Sequence, residues 1–374
     1  MPDTKPDLHF NSEGVCSGCS AFAERPSVDW DARYDELKML VDPYRNSGKW
    51  DCVIPVSGGK DSTFQVLKAL ELGLNPLAVT ATTCDLSEVG RRNLENISRL
   101  GVEHLELTSN RQARARLNRA MFERVGDISW PEHIGIFSIP VKVAVAFEIP
   151  LILWGENSQN EYGGPIESQN EMILDRNWLE EFGGLLGQRL SDLVDEGLIS
   201  QQEAHVFSYP TDEQLESVGV KGIFLGHFLP WDGFRTALLS TAHGFESSPK
   251  PHGGGLLNYE NLDNRQTAIH DYFKYLKYGF GRVTDHVCMQ IRRARLTRNE
   301  GVEIVRLHDG RFPHRCIDDD LENVLARIGL TLGDFEKIAD NFTNRSIFET
   351  TSEGNFVRRP DGSPRKLEEE NWPL

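Results

Sequence analysis

The residues best suited to chemistry form one short run, Ser57-Gly58-Gly59-Lys60-Asp61-Ser62. Two adjacent glycines allow a sharp turn, and their amides, with those that open the next helix, can point at one anion. The Ser57 and Ser62 hydroxyls can donate to phosphate oxygens. Lys60 can balance departing negative charge, and Asp61 can bind magnesium. The run therefore predicts a phosphate-binding loop; the alternative is an ordinary glycine-rich turn between a strand and a helix.

This run resembles the pyrophosphatase loop of the PP-loop ATP enzymes, which include GMP synthetase, asparagine synthetase and the tRNA thiolation enzymes. It does not fit the Walker pattern G-x-x-x-x-G-K-[ST], because Ile54 stands at the first glycine and Asp61 at the final Ser or Thr. The resemblance implies that ATP is cleaved with Mg²⁺ to AMP and pyrophosphate while a carbonyl oxygen of the substrate is adenylated.

Alternating strands and helices place this loop in a predicted sheet. Apolar runs at 52–56, 76–82, 102–107 and 150–154 alternate with stretches of helical spacing. Such alternation predicts an α/β fold with a parallel sheet, right-handed crossovers and helices on both faces. Because ligands bind at the carboxyl ends of such strands, we expect the loop, Ala81 and Thr82 to share one nucleotide site.

Acids and amides follow the fourth predicted strand at its carboxyl end. That run is Gly155-Glu156-Asn157-Ser158-Gln159-Asn160-Glu161-Tyr162. Carboxylate and amide oxygens suit a metal, a sugar or a nucleotide. We therefore expect Gly155 and Glu156 at the nucleotide, with Glu156 also a magnesium ligand. Substrate contacts are expected from Asn157, Glu161 and Tyr162; the alternative is a polar loop.

A basic cluster at 265–299 is conspicuous on an acidic chain. The spacing predicts one helix with Lys274 and Lys277 on adjacent turns, a glycine bend, and a second helix after Arg282. Such cations bind phosphate or carboxylate groups, so the cluster could receive ATP phosphates, a sugar diphosphate or a sugar carboxylate. We expect catalytic roles for Lys274 and Arg282, and substrate contacts from Asp271, Lys277 and Asp285. The alternative is a solvated face paired with acids.

Composition limits the class of partner. The 374 residues include 57 Asp and Glu against 40 Lys and Arg, a net charge of -17. A broad nucleic-acid-binding face would need the opposite sign, so nucleic acid is disfavoured as a substrate. No apolar run reaches membrane-spanning length, and Asp3, Lys5 and Asp7 stand where a signal peptide would be apolar. We expect a cytoplasmic protein.

The six cysteines are scattered, which argues against a disulfide scaffold. Cys16-Ser17-Gly18-Cys19 is a C-x2-C knuckle, which is half of a structural zinc site. His9 is the nearest further ligand candidate, and two free thiols in a loop are the alternative. Cys16 and Cys19 are therefore candidate zinc ligands.

Further segments give the chain a narrower resemblance, to the N-acetyl sugar amidotransferases of bacterial surface-polysaccharide biosynthesis. The segments are the 57–62 loop, Met1-Pro2-Asp3-Thr4-Lys5-Pro6, Gly14-Val15-Cys16, Gly155-Glu156-Asn157, Pro230-Trp231-Asp232, and Asn261-Leu262-Asp263 through Arg282. The resemblance implies that an N-acetyl group of a diacetamido sugar becomes an acetamidino group, as in 2,3-diacetamido uronic acid or nonulosonic acid pathways. Its products would serve lipopolysaccharide and O-antigen biosynthesis.

In the implied reaction, ATP adenylates the acetamido oxygen, pyrophosphate leaves, and ammonia expels AMP. We predict no glutaminase elbow, a G-x-C-x-G turn with histidine and acid partners, in this chain. Ammonia is therefore expected from a separate glutaminase subunit through a cyclase-like ammonia-channelling subunit, similar to the pair of histidine biosynthesis. The resemblance also implies a second C-x2-C immediately before Met1, so either the true start lies upstream or half of the zinc site has been lost.

We predict five parts of the chain. They are an irregular segment with the cysteine knuckle (1–26), an ATP-binding core (27–164), an insertion covering the crevice (165–262), a helical substrate-binding part (263–350) and a loose tail (351–374). The resemblance implies that the core is of the adenine nucleotide alpha-hydrolase-like type.

Two other functions stay open. The first is a PP-loop tRNA sulfurtransferase with Cys84 as its thiol, although the net charge argues against RNA binding. The second is a non-catalytic nucleotide-binding scaffold for a glutaminase, although such a scaffold has no need of Lys60 and Asp61.

Overall fold

The computed structural model describes residues 1–156, 185–252 and 254–367. The strands are β1 (Cys52–Pro55), β2 (Pro76–Ala81), β3 (Glu103–Leu107), β4 (Leu151–Trp154), β5 (Lys221–Phe224), β6 (Arg315–Cys316) and β7 (Asp319–Asp320). The helices are α1 (Ser17–Glu24), α2 (Trp30–Val41), α3 (Lys60–Glu71), α4 (Glu88–Arg99), α5 (Arg111–Val125), α6 (Trp130–Ala146), α7 (Leu190–Asp195), α8 (Gln201–Ala204), α9 (Asp212–Val218), α10 (Leu225–Phe228), α11 (Gly233–Ala242), α12 (Thr267–Tyr278), α13 (Arg282–Arg292), α14 (Arg298–His308), α15 (Leu321–Ala326) and α16 (Leu332–Phe342). Among these helices, none is both long enough and apolar enough to cross a bilayer.

The first five strands form one parallel sheet in the order β3-β2-β1-β4-β5. Val53 of the central strand β1 pairs with Leu77 of β2 on one side and Ile152 of β4 on the other. The strand order reverses beside β1, and in such sheets ligands bind at the reversal, beyond the carboxyl ends of the strands. The turn after β1 and the residues that directly follow β4, Gly155 and Glu156, are therefore expected at one crevice.

The predicted α/β fold class, with a parallel sheet between helical layers, is confirmed. The four predicted strands are present close to their expected positions. The fifth strand, β5, comes from the segment that was predicted to be an insertion, and it pairs with β4 along its whole length. Part of that segment therefore completes the main sheet, because a short apolar strand beside β4 buries the sheet's edge.

Neighbouring side chains of β1 enter two different apolar layers. Ile54 packs in the layer that contains Leu37 of α2, and Val53 packs in the layer that contains Ile139 of α6. All four side chains are buried. A parallel strand covered on both faces needs a continuous apolar run, which Cys52-Val53-Ile54 supplies. The two layers hold the end of β1, where the loop begins.

A third core joins the C-terminal helices to α5. The Phe122 ring of α5 lies 4.5 Å from the Phe273 ring of α12 and 6.0 Å from the Phe335 ring of α16, measured between centroids. These aromatic side chains are buried. The packing fixes α12, and with it the basic cluster, against the core of the protein.

Both ends of the chain differ from the prediction. Within 351–367, Arg358 forms a β-bridge with Pro364, and Phe356 and Lys366 bridge back to residues 350 and 348. Glycine turns bring these short extended pieces together, so this segment is not a loose tail. At the other end, α1 begins directly after Cys16, where an irregular segment was predicted.

Candidate active site

Gly58 shapes the turn after β1, and no larger residue fits there. Its φ is +80°, and a Cβ would lie 2.7 Å from the backbone nitrogen of Leu94 and 2.8 Å from the carbonyl carbon of Asn93. Helix α4 therefore leaves no space for a side chain at position 58. The Ser62 hydroxyl donates to the Gly59 carbonyl at 3.0 Å and fixes the step from loop to helix. The loop then enters α3 directly, which gives the site a helix N-terminus.

A cavity of about 320 Å³ lies at this loop. From the first half of the chain it is lined by Ser57, Gly58, Gly59, Lys60, Asp61, Gly90, Asn93 and Glu156. From the second half it is lined by Trp231, Asp232, Gly233, Phe234, Phe245, Leu257, Tyr259, Glu260, Asn261, Leu262, Asp263, Arg282, Met289, Gln290 and Arg293. The size suits a small-molecule site, and the walls are strongly charged.

Lys60 is buried in this wall and surrounded by carboxylates. It forms ion pairs with Asp61 and with Glu260, the second at 3.0 Å. Burial alone would lower the pKa of Lys60, but the charges of Asp61, Glu260 and Glu156 outweigh burial and hold the pKa well above its usual value. Lys60 is therefore a permanent cation beside the loop.

Gln65 of α3 connects the ends of β1 and β4. Its side-chain amide donates to the Pro55 carbonyl at 3.2 Å and accepts from the Gly155 N–H. The same amide occupies the space in which Gly155 would carry a Cβ. This contact holds the next residue, Glu156, at the cavity wall, as the sequence predicts for a nucleotide or metal ligand.

Arg282 lines the cavity from the second half of the chain. Its guanidinium donates to Asp271 at 2.9 Å, and Asp271 also accepts from the Asn261 amide at 3.2 Å. Burial alone would raise the pKa of Asp271, but Arg282 holds this pKa below its usual value. Asp271 is outside the cavity lining and positions Arg282.

The predicted residues Lys274 and Asp285 do not line the cavity. The Lys274 ammonium pairs with the buried Asp285 carboxylate and lies 4.7 Å from the centroid of the Phe280 ring. Asp285 also lies 3.7 Å from Arg282. A buried carboxylate needs nearby cations, and Asp285 has Lys274 and Arg282. The Lys274–Asp285 pair therefore helps to position Arg282, which lines the cavity.

Lys277, a predicted substrate contact, lies outside the cavity lining. Its ammonium donates to the Val125 carbonyl at the end of α5, at 2.6 Å, and lies 5.2 Å from the Phe342 ring centroid. It satisfies a helix-terminal carbonyl, which otherwise has no intrahelical donor. The structure therefore does not bring Lys277 to the cavity.

Ala81 and Thr82 also lie outside the cavity lining. The Thr82 N–H donates to the Leu107 carbonyl, and its own carbonyl accepts from Arg114. These bonds occupy the backbone N–H and carbonyl of Thr82, and Gly90 and Asn93 of α4 line the cavity. Asn157, Glu161 and Tyr162 lie outside the described residues, and their substrate contacts stay predictions.

Carboxylates from the second half were missed as site residues. Asp232 starts α11 and accepts from the Phe234 N–H at 3.1 Å, and Glu260 reaches Lys60. The motifs around 230–232 and 261–263 were recognised, but only tertiary structure shows that they meet the loop. The available signal in the sequence was an acid beside an aromatic residue or asparagine, as in Trp231-Asp232 and Tyr259-Glu260-Asn261.

The cysteine knuckle lies at the start of α1. A hydrogen bond with Cys19 lowers the pKa of the Cys16 thiol, and the Arg292 guanidinium donates to Cys19. Within the ranges that the structure describes, no third ligand joins this pair in a group compact enough for a metal. The zinc site stays a prediction.

The prediction of no G-x-C-x-G sequence needs a correction, because Gly14-Val15-Cys16-Ser17-Gly18 has those letters. A nucleophile elbow joins a strand to a helix. Here an isolated bridge residue precedes α1, and the thiol's polar neighbours are Cys19 and Arg292. The geometry therefore differs from a glutaminase elbow.

Comparisons with known proteins found a matching family model and similar solved structures. Residues 243–360 match the family described as LPS biosynthesis protein WbpG-like, C-terminal domain. No curated protein matches the sequence. Among solved structures, NMN synthetase from Francisella tularensis aligns with a TM-score of 0.27 and 13% identity, covering 60% of this chain and 99% of that one. The family match includes Phe245, Tyr259, Glu260, Arg282 and Arg293 of the cavity wall.

Proposed function

We propose that the protein is an ATP-dependent amidotransferase that forms AMP and pyrophosphate and acts in lipopolysaccharide biosynthesis. It would convert an acetamido group of a diacetamido sugar to an acetamidino group. One observation supports this most: Lys60 of the phosphate loop and Glu260 of the WbpG-like segment form an ion pair in the wall of one cavity. A nucleotide-activating loop and a surface-polysaccharide segment thus share one site.

The loop has the features that a triphosphate needs. Gly58 leaves backbone without side chain at the turn, and the N-terminus of α3 attracts anions. The carboxylates of Asp61, Glu156 and Glu260 around Lys60 are hard oxygen donors that fit Mg²⁺. When bound there, Mg²⁺ would neutralise charge on the departing pyrophosphate.

The reaction would have two steps. First the acetamido oxygen attacks the α-phosphorus of ATP, the bond to pyrophosphate breaks, and an adenylated imidate forms. Ammonia then adds to the imidate carbon, and the carbon–oxygen bond breaks to release AMP and leave the amidine. Lys60 stabilises the charge that collects on pyrophosphate, and the loop holds the reacting groups in line.

The remaining wall residues fit the sugar. The guanidiniums of Arg282 and Arg293 suit a sugar carboxylate or the diphosphate of a nucleotide sugar. The amidine product is a cation at neutral pH, and the carboxylates of Asp232 and Glu260 are positioned in the same cavity wall to stabilise it.

Ammonia would come from a separate glutaminase subunit through a cyclase-like channelling subunit. The sequence resemblance supports this part of the proposal, and the geometry at Cys16 offers no glutaminase elbow in place of such a partner. We further propose a cytoplasmic location, where ATP and sugar precursors are made.

The sulfurtransferase alternative would depend on Cys84. Burial raises the pKa of the Cys84 thiol well above its usual value, and the nearby Glu132 raises it further. A sulfur carrier needs an accessible thiolate, and this environment opposes thiolate formation. The geometry therefore favours the amidotransferase.

The test is to incubate the protein with Mg²⁺, ATP, ammonium and a panel of diacetamido sugars. We expect AMP, pyrophosphate and a sugar about one mass unit lighter, since NH replaces oxygen. Lys60→Met should abolish all three products, whereas Lys68→Met should not, because Lys68 is a partly exposed residue of the same helix that pairs with Glu71 outside the cavity lining. ADP and phosphate as products, or no sugar-dependent cleavage, would contradict the proposal.

A further inference from the structure

A second polar cluster lies outside the cavity, where α12 meets the turn between α5 and α6. It consists of Asp127 in that turn, His133 in the first part of α6 and His270 near the start of α12. The Ser129 N–H donates to Asp127 at 2.9 Å and fixes the turn. Three separate parts of the fold thus bring two imidazoles to one carboxylate.

The donor atoms of the cluster are already closely spaced. The Nδ1 atom of His270 lies 2.9 Å from Asp127 Oδ1, and the Nδ1 atom of His133 lies 3.2 Å from Asp127 Oδ2. One donor atom from each residue lies within 4.8 Å of the others. Ligands bound at 2.0–2.2 Å to a tetrahedral zinc stand roughly 3.3 Å apart, so little movement is needed.

We propose that Asp127, His133 and His270 bind one divalent transition-metal ion. Two imidazoles with one carboxylate form a donor set that suits Zn²⁺, Co²⁺ or Fe²⁺ and leaves a coordination position for water. Asp127 is almost fully buried, while the imidazole side chains are 25% and 29% exposed. The carboxylate is therefore fixed, and the ion can enter from the imidazole side.

The charges around the cluster have both signs. Lys277 faces Asp127 and opposes a cation, but burial lowers the pKa of this lysine and its ammonium is held by the Val125 carbonyl. Asp271, next to His270, interacts with that imidazole and favours a cation. A metal bound to Nδ1 of His270 would replace the proton that this nitrogen donates to Asp127.

Such an ion would clamp α12 to the α5–α6 turn. The residue after His270 is Asp271, which holds Arg282 in the cavity wall. The metal would thus help to position the helix that carries Asp271. This inference concerns metal binding alone and does not depend on the proposed reaction.

Cobalt binding by the full chain, stripped with a chelator, provides the test. Cys16→Ser/Cys19→Ser protein is used so that the knuckle cannot bind the ion. We expect about one equivalent of Co²⁺, with visible bands but no thiolate charge-transfer band, and a higher melting temperature with Zn²⁺. His133→Gln/His270→Gln in the same background should lose both effects, while the control His104→Gln should retain them.

Absence of Co²⁺ binding in the Cys16→Ser/Cys19→Ser protein would overturn the proposal. Unchanged binding in the His133→Gln/His270→Gln protein would overturn it too. If that variant does not fold, imidazole NMR signals of the parent protein decide the question. Signals of His133 and His270 should shift together on Zn²⁺ addition, and unchanged signals would exclude the site.

Discussion

Lys60 and Glu260 form a 3.0 Å ion pair between the phosphate loop and the WbpG-like segment. The Lys60 side chain is 6% exposed and that of Glu260 is 20% exposed, so the pair is largely shielded from water. This cation of the cavity wall is therefore held by two parts of the chain that are distant in sequence. Neither part alone forms the site.

Changing Glu260→Gln should reduce AMP and pyrophosphate formation at least about tenfold, because it removes a carboxylate that holds Lys60 and fits Mg²⁺. Pyrophosphate release measures the effect. The matched control is Glu246→Gln, an exposed acid in the same segment that pairs with Arg92 at 2.8 Å. Wild-type turnover by Glu260→Gln would show that the ion pair has no part in the reaction.

Changing Gly58→Ala should remove ATP binding and destabilise the fold. The left-handed backbone costs roughly 1–2 kcal/mol, and the Cβ contact with α4 adds to this cost. Gly101→Ala is the control, since Gly101 has φ +90° but no atom within 4 Å of an added Cβ. Calorimetry of ATP binding and urea unfolding should separate the two variants. Equal losses in both would mean that crowding by Leu94 does not shape the loop.

Changing Arg282→Met should raise the KM for the sugar, whereas Lys277→Met should leave it unchanged. Arg282 lines the cavity, and Lys277 binds the Val125 carbonyl instead. Lys277→Met should lower the free energy of unfolding by about 1 kcal/mol through loss of that hydrogen bond. A higher KM for Lys277→Met, at unchanged stability, would indicate that this lysine contacts the substrate.

Asp271 should make stability depend on pH at the acid end. Its pKa is lowered in the folded protein, so its stabilising effect is complete above its unfolded pKa of about 3.9 and is lost as the pH falls through the folded value. The difference in free energy of unfolding between wild type and Asp271→Asn should be constant near neutral pH and shrink below about pH 4. Urea unfolding across that range measures it, and a constant difference would contradict the ion pair with Arg282.

The strand, turn and helix of residues 52–71 could be predicted because their geometry is local. A buried strand, two glycines and a helix start determine where Lys60 and Asp61 lie, whatever surrounds them. The sheet followed for the same reason, since each apolar run from β1 to β4 is continuous in sequence. The sequence identified Gly58 as a turn residue. Only the structure shows that the backbone of α4 lies too close to Gly58 for a side chain to fit.

The basic cluster shows where sequence reasoning stopped. Helical spacing groups Lys274 and Lys277, but it does not show which partner each ammonium meets. One meets the buried Asp285 and the other meets the end of α5. Glu260 was missed for the same reason, because the residues next to it in sequence do not reveal that its carboxylate lies 3.0 Å from the Lys60 ammonium. Long-range contacts decided both cases.

Isotope transfer tests the central claim most directly. The protein is incubated with ATP, Mg²⁺, ammonium and a diacetamido sugar that carries oxygen-18 in its acetamido carbonyl. The mass of the AMP formed is then measured by mass spectrometry. If the acetamido oxygen attacks the α-phosphorus, the AMP must carry the label and be about two mass units heavier. Unlabelled AMP, or label in inorganic phosphate, would contradict adenylation of the acetamido group.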